Sequence, residues 1–363
     1  MRYLDIGSSK RISKIGLGTH QFGSPEWDYG DWYADSEARA IVRRALDLGV
    51  TLFDTAEIYG FRAHRIARRA VLEGVALSDV ARIPGFGRGE RILGDALGEM
   101  RESAFLATKL YPAAPTVPVP EQRAIASANR LGTGRLDLYQ VHQPSRMVPP
   151  SRVMHGIRAL QEAGVVGEVG VSNASLERWR TAERVLGRRV LSNQVGYSLV
   201  TRSAERELLP FAESHHRVII AYRPLELGLL AGRYDCAHRP ADPVRAGYPL
   251  FQPQNLERAR SLIGTLREVA DAHAATPAQV ALAWVIRHPA VVAIPGASSV
   301  EQLENNVAAT EIDLAEDEYR ALQAASSRFH PDPGPGFLSR QLRALGGGPG
   351  RAHGPGRDSA KRL

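Results

Sequence analysis

Short apolar runs recur along the chain, each followed by a stretch with helical periodicity: IGLGTH (15–20), TLFDTA (51–56), AFLATKL (104–110), LDLYQVH (136–142), GEVGVSN (167–173), LSNQVGY (191–197), VIIAYRPL (218–225) and VVAIPGA (291–297). A strand covered on both faces reads as a near-continuous apolar run, because neither side of its pleat meets water. Alternation of such runs with amphipathic helices predicts parallel strands joined by crossover helices. Eight units between residues 15 and 297 predict an α/β fold, a single closed (β/α)8 TIM barrel.

The connecting helices are legible in detail. In SEARAIVRRALDLG, Ser36 is the predicted N-cap, Ile41, Ala45 and Leu46 share one face, and Gly49 ends the helix. Residues 1–14 predict an N-terminal β-hairpin turning at Ser8 and Ser9, ahead of the barrel. From residue 331 the sequence turns to DPGPG and GGGPGRAHGPGRDSAKRL, a composition too poor in apolar residues to offset the entropy of folding. The expected organisation is a barrel over 1–330, with an insertion at 61–88 after the second strand, and a disordered C-terminal tail over 331–363.

Composition narrows the setting. In a chain of 363 residues, 44% hydrophobic residues supply a sizeable core. The start, MRYLDIGSSKRISK, has no apolar leader-like segment, and no run approaches the ~18 apolar residues of a spanning helix. A single cysteine, Cys236, excludes an internal disulfide or a cysteine-built zinc cluster. The expectation is a soluble, cytoplasmic protein without a metal centre. The net charge of +7 raises the question of nucleic acid. Residues 61–89 hold six arginines against Glu73 and Asp79, and residues 331–363 hold six basic residues against Asp332 and Asp358. Each segment is therefore +4, and the rest of the chain is about −1, with no excess charge to grip a phosphate backbone. Two solvated arginine-rich segments account for the basicity, and no nucleic-acid partner is expected.

Active sites of such barrels lie at the carboxyl ends of the strands, so polar residues ending apolar runs are candidates for chemistry. The second run ends in Asp54 with Tyr59 just beyond, the third in Lys109, the fourth in His142, and the fifth in Ser172 and Asn173. The sixth carries Gln194, the seventh Tyr222, and the eighth leads to Ser298 and Ser299. A buried lysine needs a carboxylate, and Asp54 stands on the neighbouring strand. A tyrosine beside that ammonium is expected to have its phenolate favoured and its pKa lowered, which suits a general acid. His142 would then orient a carbonyl oxygen.

The words LGTHQFG, FDTAEIYG (53–60), GERILGDAL (89–97), ATK (107–109), DLYQVH (137–142), GVSNAS (170–175), NQVGYS (193–198), AYRPLELGLLAGRY (221–234) and IPGASSVEQLENN (294–306) resemble, in order, those of the aldo-keto reductase family. The resemblance implies an oxidoreductase passing hydride between NADP(H) and an aldehyde or ketone, with a catalytic tetrad of Asp54, Tyr59, Lys109 and His142 and Tyr59 as proton donor. It implies that Ser172, Asn173 and Gln194 hold the nicotinamide carboxamide and that Tyr222 stacks on its ring. Thr19, Pro224, Leu225 and Asn306 complete the implied cofactor set, and no Rossmann fold is involved: neither GLGTHQFG nor GFGRGE has G-x-G-x-x-G spacing.

The departures from the family pattern matter. Where many members place Arg or Lys against the adenosine 2′-phosphate, this chain has Ser298, Ser299 and Gln302. Hydroxyls, an amide and a helix N-terminus bind an anion less strongly than an arginine fork does. The ASSVEQLENN wording resembles the potassium-channel β-subunit branch, which binds NADP through a similar Ser and Gln. Arg223 follows Tyr222 where serine is usual, and reads either as charge near the pyrophosphate or as a surface arginine. His20 replaces a common tryptophan, and 61–88 lengthens a link that is short in most members. That insertion reads as an active-site flap or as an outward excursion, and Trp27, Trp32 and Phe86 as pocket lining or ordinary packing. The alternative function is a cofactor-binding redox sensor or regulatory subunit with little turnover.

Overall fold

The computed structural model describes residues 1–7, 10–23, 35–60, 86–111, 120–145 and 148–332. Strands β1 (Tyr3–Leu4) and β2 (Ile12–Ser13) pair antiparallel, as the predicted hairpin; its tip at Ser8 and Ser9 lies outside the described residues. Eight parallel strands follow in sequential order: β3 (Leu17–Gly18), β4 (Leu52–Asp54), β5 (Phe105–Leu110), β6 (Leu136–Val141), β7 (Val166–Ser172), β8 (Ser192–Gly196), β9 (Val218–Tyr222) and β10 (Val291–Ala293). The first meets the last: Ala293 N donates to Lys14 O at 2.8 Å, Gly16 N to Ala293 O at 2.8 Å and Gly18 N to Pro295 O at 3.1 Å. The sheet is thereby closed into the expected barrel.

The IGLG word explains the seam. A Cβ on Gly16 would stand 2.8 Å from Leu52 O, and one on Gly18 2.7 Å from Ile294 O, so only glycine lets these backbones approach so closely. Lys14, not singled out by sequence reasoning, reinforces the closure: its Nζ donates to the carbonyls of His288, Pro289 and Val291 at 2.8 Å each.

Alternation along each strand sorts side chains into two cores. Leu52, Phe105, Ala107, Leu138, Leu191, Val218, Ile220 and Val292 fill the barrel interior, where Ile6 and Ile12 join them from the hairpin. Phe53, Leu106, Tyr139, Val169, Ile219 and Val291 face the surrounding helices. Two residues beyond an inward residue the side chain points inward again, so Asp54, Lys109, Gln140 and Tyr222 crown the inward rows of β4, β5, β6 and β9, and Gln194 follows Ser192 on β8.

The helix predicted after β3 spans Asp35–Asp47, which puts Ser36 inside its first turn rather than at the N-cap. Ile41 and Ala45 are buried as expected, Leu46 is half-buried, and Gly49 turns away at φ +80°. The helix after the insertion spans Arg88–Leu97. Ser175 caps Leu176–Leu186, and Thr276 and Gln279 form a capping box on Pro277–Ile286. No described helix is long and apolar enough to cross a membrane. Residues 61–85, Trp27, Trp32 and the tail beyond residue 332 lie outside the described residues. Asp332 itself is fixed two positions past the expected boundary, exchanging hydrogen bonds of 2.7 and 2.8 Å with the buried Asn255.

Candidate active site

Strand register brings the predicted residues together. Gly18 pairs with Asp54, Asp54 with Ala107, Lys109 with Gln140, Ser172 with Gln194, and Gly196 with Tyr222, so the inward row is continuous around the carboxyl rim.

Lys109 is wholly buried, and its three N–H groups are all used. Nζ donates to Asp54 Oδ1 at 2.5 Å, to Thr55 O at 2.8 Å and to the Tyr59 hydroxyl at 3.1 Å. Burial opposes the charge on Lys109, but Asp54 and Tyr59 outweigh it and raise its pKa. The other carboxylate oxygen of Asp54 accepts from Gln194 Nε2 at 2.7 Å and Gln140 Nε2 at 3.3 Å. Sequence reasoning missed Gln140; a glutamine at inward parity inside LDLYQVH, between Leu138 and His142, was the available signal.

The expected lowering of the Tyr59 pKa is overturned. Burial dominates and raises it, with Lys109 acting in the opposite direction but not enough. The phenol therefore holds its proton. Because Lys109 donates to the Tyr59 oxygen, the phenolic hydrogen has to point away from the ammonium, toward the cleft.

Two histidines flank Tyr59. The His20 ring stands edge-on at a centroid distance of 4.7 Å, and His142 edge-on at 6.1 Å. Partial burial, aided by the Lys109 charge, depresses His142 to about 3, and His20, whose side chain is more exposed, is lowered in the same direction. Both are neutral at physiological pH. His142 Nδ1 is buried without a hydrogen-bond partner among the described residues. Tyr111 continues the row, edge-on to His142 at 5.7 Å.

The predicted cofactor residues form a band on the next strands. Ser172 Oγ donates to Gln194 O at 2.8 Å, and Asn173 Nδ2 donates to Ser172 Oγ at 3.1 Å and His142 O at 3.3 Å. The Tyr222 hydroxyl donates to Asn173 Oδ1 at 2.9 Å. Thr19 donates through both N and Oγ1 to Asp54 O, at 2.9 and 3.0 Å. Arg223, at φ +49°, donates through Nη1 to the Tyr248 hydroxyl at 2.5 Å, while its Nε is buried without a partner among the described residues. It is no loose surface arginine. Pro224 is buried and Leu225 half-buried below it. Further round the rim, Ser298 N and Oγ donate to Gln302 Oε1 at 3.1 and 2.9 Å, Ser299 caps the helix Val300–Ala308, and Asn306 Nδ2 donates to Gly296 O at 3.2 Å.

A second polar cluster lies behind Tyr59. Glu57, inside FDTAEIYG and 1% exposed, accepts from Tyr111 N at 2.5 Å and from Nε and Nη2 of Arg123, and Arg123 Nη1 donates to Tyr111 O at 2.8 Å. Burial raises Glu57 to about 7 against the pull of Arg123. Glu90, fully buried, accepts from Thr108 Oγ1 and Arg130 Nε at 2.6 Å each. Phe86 is buried under the Arg130 guanidinium at 5.5 Å, so it packs against a helix side chain. The end of the insertion is bonded to the turn that carries Glu57 and Tyr59: Gly87 N donates to Glu57 O at 2.7 Å and Gly89 N to Tyr59 O at 3.0 Å.

A barrel with a buried ammonium, a protonated tyrosine and neutral histidines at its carboxyl rim is built to handle an oxygen that gains negative charge. The family model for the aldo/keto reductase family matches residues 14–327, and the chain belongs to that family. It is 50% identical over 343 residues to an uncharacterized oxidoreductase of Mycobacterium tuberculosis, covering 94% of this chain and 98% of that protein. Among solved structures, a glycerol dehydrogenase from Gluconobacter oxydans superposes with a TM-score of 0.75 at 27% identity, over 92% of this chain and 98% of that one. An aldo/keto reductase from Klebsiella pneumoniae, in complex with NADP and acetate, gives a TM-score of 0.64 at 27% identity, over 92% and 96% of the two chains.

Proposed function

We propose that this aldo/keto reductase reduces aldehydes or ketones with NADPH, with Tyr59 as the proton donor. The observation that carries the reading is the saturated Lys109 ammonium: with all three donors engaged, it fixes the Tyr59 oxygen and leaves only the phenolic hydrogen to face a substrate. His142, neutral, hydrogen-bonds and orients the carbonyl oxygen. As that oxygen gains charge, Tyr59 donates to it, and the resulting phenolate is stabilised by Lys109, whose own charge is balanced by Asp54.

The residues present suit a dinucleotide. Arg223 Nε, buried without a partner among the described residues, is a donor fitted to a diphosphate, and Ser298, Gln302 and the capped N-terminus of Val300–Ala308 offer donors and a helix dipole to a 2′-phosphate. Ser172, Asn173 and Gln194 would hold the carboxamide and Tyr222 the ring. Gln194 would do so through its carbonyl oxygen, since its nitrogen is spent on Asp54. Thr19, Pro224, Leu225 and Asn306 shape the backbone around these groups. The NADP bound by the Klebsiella relative supports the choice. When bound, NADPH supplies the hydride. The lone Cys236 supports a cytoplasmic setting.

The decisive experiment adds NADPH and a panel of aldehydes and ketones to the purified protein while the reduced nicotinamide absorbance is followed. Turnover that Tyr59→Phe abolishes supports the reductase. Tight NADPH binding with no turnover on any carbonyl would instead make the chain a redox sensor.

A further inference from the structure

Directly after Tyr222, three residues other than glycine stand in the left-handed region: Arg223 at φ +49°, Glu226 at φ +43° and Leu227 at φ +57°. Residues with a Cβ resist that region, and such strain persists only where the surroundings enforce it. Here they do: Arg223 Nη1 donates to the Tyr248 hydroxyl, Arg245 Nε donates to Leu227 O at 3.0 Å, and Glu226 N donates to Arg223 O at 2.9 Å. The side chain that this strained segment delivers is a carboxylate. Glu226 is 2% exposed, and the proposed function gives it no part.

One oxygen of Glu226 is tied to the turn that follows β8. Oε1 accepts from Thr201 Oγ1 at 2.6 Å and from Ser198 Oγ at 3.1 Å, and Ser198 and Thr201 are locked together by reciprocal backbone bonds of 3.1 Å. Both donors are neutral hydroxyls, so they fix the carboxylate without cancelling its charge. The cation that feels that charge is Arg223: burial opposes the guanidinium charge, and Glu226 is the largest of the groups that favour it. Glu226 does this without taking Arg223 Nε, which has no partner among the described residues. The arginine is thus balanced and its donor left for a ligand.

We propose that Glu226 is a positioning residue acting through Arg223 as its fixed counter-charge, so that an incoming diphosphate has to compete with a carboxylate already in place and the cofactor is held loosely enough to leave after each turnover. The proposal rests on the assignment of Arg223 to the diphosphate. A half-buried guanidinium with no anion beside it is costly to the free protein and grips a diphosphate hard; a fixed carboxylate offsets the first and weakens the second. At an effective dielectric between those of protein and water, one such charge changes anion binding by about tenfold.

The test is NADPH binding to the full-length protein, read by fluorescence titration and by stopped-flow displacement. Glu226→Gln removes the charge but keeps an oxygen for Ser198 and Thr201, so NADPH should bind about tenfold tighter, with the gain in a slower dissociation rate. Adenosine 2′-phosphate, which has no diphosphate, should bind both proteins equally. In the Arg223→Met background the same substitution should bring a gain of about threefold or less, because the group it acts through is gone. Should Glu226→Gln not fold, Thr201→Val tests the claim from the other side: it keeps the charge and loosens its tether, so the carboxylate turns to Arg223 and NADPH binds more weakly. Unchanged or weaker NADPH binding by Glu226→Gln, or unchanged or tighter binding by Thr201→Val, overturns the counter-charge. An equal gain in both backgrounds shows that the carboxylate does not act through Arg223 and overturns the positioning role. Arg223→Met that binds NADPH as wild type does removes Arg223 from the diphosphate instead, and NADPH binding that follows every expected change without turnover on any carbonyl sinks only the reductase reading.

Discussion

Lys109 and Asp54 meet at 2.5 Å with neither side chain more than 1% exposed, an ion pair sealed inside the top layer of the barrel. Removing one member of a buried pair leaves the other charge uncompensated, at a cost of about 3–5 kcal/mol. Asp54→Asn should therefore lower unfolding free energy by about that amount. The double variant Asp54→Asn, Lys109→Met should recover a large part of the loss while remaining inactive. Denaturant titrations of the three proteins check this; a double variant less stable than the single one would show that the pair itself stabilises the fold.

Tyr59→Phe keeps the ring beside His20 and His142 but removes the phenolic proton that the proposed mechanism donates. Reduction should fall by about 10²–10⁴-fold, the usual contribution of a positioned acid, with NADPH affinity near wild type. Steady-state kinetics with a cofactor titration suffice. Turnover within about tenfold of wild type, about 1.4 kcal/mol of barrier, would remove Tyr59 as the donor.

His142 ties stability to pH. Its folded pKa, about 3, lies below the unfolded ~6.5, so between those values the unfolded chain binds a proton that the native one does not. The stabilising contribution is complete above pH ~6.5 and declines as pH falls toward 3, by up to about 1.4 kcal/mol per pH unit. His142→Gln should show a shallower acid loss than wild type in unfolding measured at pH 7, 6 and 5. Parallel curves would contradict the burial of a neutral imidazole.

The region proposed for the 2′-phosphate offers Ser298, Gln302 and a capped helix end, with no arginine among the predicted contacts. Preference for NADPH over NADH should be modest, about tenfold or about 1.4 kcal/mol, and Gln302→Arg should widen it. Fluorescence titrations of both cofactors measure the ratio; tighter binding of NADH would exclude the NADP assignment.

The insertion re-enters the fold beside the chemistry, through the bonds from Gly87 to Glu57 and from Gly89 to Tyr59. Replacing residues 61–85 by a short Gly-Ser link should leave NADPH affinity unchanged and alter KM or substrate range. Identical kinetics over a broad carbonyl panel would show that the segment takes no part in the substrate site.

Periodicity and spacing alone determined the eight strands, their parallel order, the hairpin and the ring of polar strand ends, because each is written locally: an apolar run, a helical repeat, a polar residue at inward parity. Asp54 and Lys109 were legible as a pair since adjacent strands in a barrel fix their neighbours. Other features depended on packing between distant segments. Whether burial or Lys109 controls the Tyr59 phenol is a contest of magnitudes that only the assembled cleft decides, and burial wins. Gln140 and Gln194 converge on one oxygen of Asp54 from strands far apart in sequence, and Lys14 reaches three carbonyls more than 270 positions away. Arg123 finds both Glu57 and Tyr111 only because a helix lies across the end of β5. The sequence specified which chemical groups reach the rim; the closure of the barrel decided which of them touch, because hydrogen bonds and desolvation depend on distances that no local pattern encodes.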